Sequence, residues 1–137
     1  MLLTGCAGSV AIPDPTPSGE PAAVCTAVLA DLPAQVEGQD RRDVEPGRFS
    51  AAWGSPAITL RCGVDKPPTL EPTSQCFEVN GVGWLAEEAT TGYLFTTIGR
   101  TAYVEVAVPS DYAPEANVLV DVAAPIAAHV PVITPCQ

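Results

Sequence analysis

Five cysteines are the residues of this chain whose type and spacing most readily suggest chemistry: Cys6, Cys25, Cys62, Cys76 and Cys136. None stands in a Cys-x-x-Cys pair, and the chain holds one histidine, His129. Zinc is a poor fit, because structural zinc sites draw on close ligand pairs. Widely spaced thiols suit disulfides, and an odd count leaves one sulfur in need of another role. Cys6 is that sulfur, standing ahead of any periodic pattern. The other four suit two bridges formed in an oxidising compartment, with three pairings open. Bridges that close tens of residues contribute roughly 3–5 kcal/mol each. The competing reading is buried free thiols that pack as small hydrophobes.

The setting of Cys6 adds to this. Leu3-Thr4-Gly5-Cys6 resembles the lipobox of bacterial lipoproteins. The resemblance implies cleavage before the cysteine and a diacylglyceryl group on its sulfur. The next stretch, AGSVAIPDPTPSGEP, is rich in Pro, Ser and Gly and has no apolar periodicity. That is the composition of a flexible tether. The expected organisation is residues 1–5 as the remnant of a signal peptide, 6–20 as tether and 21–137 as one domain. Residues 1–5 lack the basic region and apolar stretch of a full signal peptide. The expected place is outside the cytosol, on the outer face of the cytoplasmic membrane, held there only by the lipid on Cys6.

Other chemistry is sparse. There is no nucleophile elbow and no phosphate loop. His129 lies near the end of an expected helix, where a positive charge suits the dipole. Glu87 and Glu88 are adjacent, so on a strand they point to opposite faces and make a poor acid/base pair. With Asp65 and His129 they are the only raw material for an enzyme. No catalytic residue, metal or cofactor is expected. Trp53, Arg61, Trp84, Arg100 and Tyr103 are the candidates for a shallow groove that takes a small solute or cell-wall fragment, since aromatics and arginine favour recognition surfaces. Core burial of the tryptophans, and pairing of the arginines with carboxylates such as Glu105, is the alternative.

Charge narrows the partners. Six basic residues face sixteen acidic ones, for a net charge of −10. Nucleic acid demands the reverse, and anionic headgroups repel such a chain. An envelope protein is the expected partner. No Asp-rich calcium loop is present.

The elements that would position these residues are short. Fifteen prolines and eleven glycines imply many turns. No apolar run approaches the roughly 20 residues of a membrane-spanning helix. In PAAVCTAVLADLPAQV, Val24, Ala27, Val28 and Leu32 recur at helical spacing; Pro21 suits the helix start and Pro33 ends it. VEGQDRRDVEPGR is a mixed charge cluster, either a solvated edge strand or turn, or a grip through Arg41 and Arg42 on an anionic ligand. Residues 57–62 alternate as a half-buried strand, and a proline-rich loop, DKPPTLEPTS, follows. Asn80-Gly81 joins two short strands in a hairpin. Residues 94–98 and 102–108 read as another hairpin, with a bulge at Gly99 as the alternative. From Pro114 the period turns helical: Val118, Val122 and Ile126 share a face, and Pro125 is expected to kink it. The predicted fold is α+β: an antiparallel sheet of four to six strands, with an N-terminal and a C-terminal helix packed on one face and two disulfides.

Three blocks, AWGSP, LRCGV and GRTAYVEVAVP, together with RRDVEP and VNGVGWL, resemble the family catalogued as domain of unknown function 3515. The likeness spans residues 25–128. It implies envelope localisation and carries no known activity. It also implies a bridge between Cys25 and Cys62, which leaves Cys76 to Cys136.

Overall fold

The computed structural model describes residues 8–136. The sheet grows from alternating strands. β1 (Val10–Ala11) precedes helix α1 (Glu20–Ala30). Four short strands follow: β2 (Gln35–Val36), β3 (Gln39–Arg42), β4 (Val44–Glu45) and β5 (Ser50–Trp53). The longer ones are β6 (Ile58–Val64), β8 (Val82–Ala89), β9 (Gly92–Thr97) and β10 (Tyr103–Pro109), with β7 (Phe77–Val79) beside β8. Helix α2 (Val118–His129) comes last, after two short 3-10 turns.

The main sheet is antiparallel, with strand order β2-β3-β5-β6-β10-β9-β8-β7. Eight strands replace the four to six expected. The excess comes from β5 and from the charge cluster, whose expected solvated edge strand is present as β3, second from one edge and paired with the short β2 outside it. Ser50-Ala51-Ala52-Trp53 is buried along its whole length, so it lacks the polar–apolar alternation that marks a half-buried strand. The expected hairpins are present. The one at Asn80-Gly81 places both turn residues at positive φ, the geometry a two-residue turn requires. The irregularity in β10 falls at Tyr103/Val104, not at Gly99.

The helices also differ from expectation. Neither is the terminal element: β1 precedes α1, and beyond α2 the chain runs on to Cys136. They pack on each other, with α1 also on β6 and α2 on β2, β7, β8 and β10. This is not a pair of end helices laid separately on a sheet. Pro125 sits inside α2 without ending it.

Strand alternation gives the sheet two unlike faces. On the helix side, Ala51, Leu60, Val106 and Phe95 stand opposite one another on successive strands. They join Ile58, Val104, Trp84, Val28, Leu119 and Val122 in one core. Cys25 is bonded to Cys62 across it, with Cα atoms 5.4 Å apart, tying α1 to β6. Cys76 is bonded to Cys136. The tail before Cys136 is also clipped by backbone bonds from Thr101 to Pro131 and from Ile133 and Thr134 to Gly99.

The reading of 6–20 as a flexible tether does not hold from Val10 onward. β1 pairs in parallel with β4, and the Val10 and Ile12 amides donate to the carbonyls of Asp43 and Glu45 at 2.9 and 3.2 Å. Ile12 is buried. Pro17 lies so close to Gly63, at φ +98°, that a Cβ there would meet its ring.

Candidate functional site

The face away from the helices carries the polar alternates of the same strands. Ser50, Arg61, Glu105, Thr96 and Leu85 form one row across five strands, each opposite the next. Arg61 and Glu105 are the central pair, with Nε to Oε1 at 2.8 Å and Nη2 to Oε2 at 3.2 Å. The hydrogen bond to Glu105 raises the Arg61 pKa above its ordinary value, against the opposing pull of burial. The remaining Arg61 nitrogen donates to the Pro13 carbonyl.

Two chain segments stand over this row. One is the strap of residues 14–18, fixed by Asp14. Its carboxylate accepts from the backbone N–H of Arg48 (3.0 Å) and Phe49 (3.1 Å) and from the Ser50 hydroxyl (2.7 Å). The other is the proline-rich loop after β6, held to β8 by a bond from the Thr69 hydroxyl to Glu87. Between them lies a solvent-open groove of about 820 Å³. Prolines wall it, and Lys66, Asp65 and Tyr103 also line it. Thr101 is among its lining residues, and the Thr101 hydroxyl is buried with no hydrogen-bond partner among the described residues.

The five residues expected to share a groove are divided by the sheet. Arg61 and Tyr103 line the groove. Trp53 and Trp84 are fully buried on the helix side. The Trp53 indole donates to the Pro33 carbonyl at 3.0 Å, while that of Trp84 has no partner among the described residues. Arg100 is buried as well. Its guanidinium donates to the carbonyls of Val130 (2.6 Å) and Gly81 (2.9 Å), and burial lowers its pKa. It clamps the end of α2 to the β7–β8 turn rather than facing a ligand. Trp53 and Trp84 belong to a five-residue groove only if the strands' alternation is ignored.

The other candidates separate similarly. Asp65 and Glu87 both line the groove, whereas Glu88 points to the opposite face and His129 pairs with Asp31 at 3.0 Å between the helix ends. Arg41 stacks on Trp53, its guanidinium 5.5 Å from the ring centroid. Arg42 donates to the carbonyls of Gly54 and Gly8. Both cations are engaged in the fold. Cys6 lies outside the described residues. No group of three or more His, Cys, Asp or Glu side chains converges as a metal site among the described residues.

Sequence reasoning missed Asp14 and Ser50. Asp14 sits between two prolines in a segment of linker composition, and its partners lie 34–36 residues away. The faint signal was Val10-Ala11-Ile12, an alternation too short to register as a strand.

Two disulfides point to an extracytoplasmic location, since they persist in oxidising compartments. Among the described residues no helix is long and apolar enough to cross a membrane. No curated protein and no solved structure matches the chain. The model of the family described as "Protein of unknown function (DUF3515)" matches residues 7–134, nearly the whole chain, and the protein belongs to that family.

Proposed function

We propose that the protein is a non-enzymatic, lipid-anchored domain of the bacterial cell envelope that holds another envelope component, with the groove between strap and loop as its binding surface. The observation that carries this reading is the state of the charges on the groove's sheet floor and strap, as distinct from the exposed Asp65 and Lys66 of the loop. Arg61 and Glu105 neutralise each other, Asp14 is occupied by three donors, and Glu87 accepts from Thr69. A floor of satisfied charges suits contact, whereas proton transfer needs a poised and uncommitted group. The lipobox-like Cys6 supports the anchor.

A second reading has the groove take a small solute or cell-wall fragment. The exposed Asp65 and Lys66 beside Tyr103 on the groove lining favour it, because solvent-facing charges next to an aromatic ring can meet a polar ligand.

A photoreactive residue in place of Tyr103, activated in the native host, tests both. A protein adduct is the expected result. An adduct of carbohydrate or small-molecule mass alone selects the second reading, and no adduct of either kind removes the groove from both. Intact mass of the extracted protein tests the anchor: a Cys6 without a diacylglyceryl group ends that part of the proposal.

A further inference from the structure

The segment that composition reads as a long tether is bound to the fold along most of its length. The first described residue, Gly8, already accepts from Arg42 Nη2 at 2.9 Å. β1 is paired with β4, Ile12 is buried, and Pro13 accepts from Arg61. Asp14 closes the strap with contacts to three successive residues, Arg48, Phe49 and Ser50. The Arg48 and Phe49 amides are donors, and the Asp14 carboxylate is the acceptor they meet, so removing it leaves both without that bond.

From these contacts we infer that Asp14 is a latch that sets the reach of the membrane anchor, so that a short tether holds the latched protein close to a lipid surface that its net charge of −10 would otherwise avoid. Only Ala7 separates Cys6 from the bound Gly8, and those two residue steps span about 7 Å fully extended. With the latch open, free chain runs from Cys6 to the start of α1 at Glu20. Fourteen residues of flexible linker have a root-mean-square span of roughly 20 Å. The latched state therefore turns the side of the molecule that carries Gly8, Arg42 and Gly54 toward the lipid. Residues 14–18 also wall the groove, so the same contacts govern the anchor's reach and the groove's shape. The lipid part of this inference rests on the anchoring reading above; the latch does not.

Amide exchange on the disulfide-bonded chain tests the latch alone. The Val10 and Ile12 amides are expected to exchange at least about tenfold more slowly than unstructured chain. Asp14→Ala should abolish that protection while the amides of β6 and β10 stay protected. The latch is overturned if Val10 and Ile12 exchange freely in the unmodified protein, or if they remain protected in Asp14→Ala. Neutron reflectometry of the lipidated protein on a supported bilayer tests the reach. The gap between headgroups and protein should lie below about 10 Å and widen toward 20 Å in Asp14→Ala, by the same chain-length reasoning. Inserting roughly ten Gly/Ser residues after Ala7 should widen the gap with Val10 and Ile12 still protected. A gap that neither change alters overturns the inferred reach. An unlipidated Cys6 would end the anchoring reading and the reach with it, and the exchange result would still decide the latch.

Discussion

The two faces of the sheet are made by alternate residues of the same strands, yet they are held by different forces. On the helix side, Leu60, Val106 and Phe95 share a dry core with α1 and α2, stitched by the Cys25–Cys62 bridge. On the other side, Ser50, Arg61, Glu105 and Thr96 hold a strap and a loop through directional polar contacts. Apolar burial is roughly proportional to area and tolerant of direction. A partly exposed ion pair contributes little to stability but fixes geometry. The helix side should therefore determine whether the chain folds, and the groove side what it presents.

The contrast can be broken most directly at the bridge. Replacing Cys25 and Cys62 together by serine frees a loop with a sequence separation of 37 residues. Chemical denaturation should show a loss of about 4 kcal/mol; a loss below 1 kcal/mol would mean that helix packing alone sustains that face. Leu60→Ala, at a site with no exposure, should cost about 3 kcal/mol in the same measurement. On the groove side, Arg61 and Glu105 stand opposite each other with side chains 29% and 18% exposed. A double-mutant cycle with Arg61→Met and Glu105→Gln should return a coupling near 1 kcal/mol, falling with added salt. A coupling as large as the Leu60→Ala loss would erase the distinction between the faces.

The smallest effect concerns Tyr112, whose hydroxyl donates to the Pro56 carbonyl at 2.6 Å. Burial, then the charge of Asp111, raises its pKa above the ordinary 10.0, with Arg42 opposing. A raised acid keeps its proton longer in the fold than in the unfolded chain. Its contribution is thus complete below about pH 10 and lost as pH rises through the folded value. Relative to Tyr112→Phe, the unmodified protein should lose stability on the alkaline side only. Parallel stability curves across that range would assign Tyr112 no such role.

Where alternation was clean, the fold was legible. Ile58, Leu60 and Cys62, and Val104, Val106 and Val108, announced β6 and β10 and the faces they bury. Asn80-Gly81 announced its turn, and Pro21 and Pro33 bracketed α1 to within a few residues. β5 was hidden because small residues buried on both faces leave no period. The groove was misassigned because Trp53, Trp84 and Arg100 are plausible recognition residues by type, while type says nothing of the face on which a strand sets them. The strap was hidden because proline-rich composition describes a chain without partners, and its partners lay beyond Arg42.

Local order was thus written into the chain itself: strand period, turn residues, helix boundaries, and the presence of four sulfurs suited to two bridges. These follow from backbone sterics and side-chain spacing over a few neighbouring residues. The tertiary structure alone decided the number of strands, the face that helices cover, the clamp made by Arg100 and the capture of the strap by Asp14. Each depends on a hydrogen bond or a buried surface contributed by residues distant in sequence, and such a partner exists only once the chain has closed on itself.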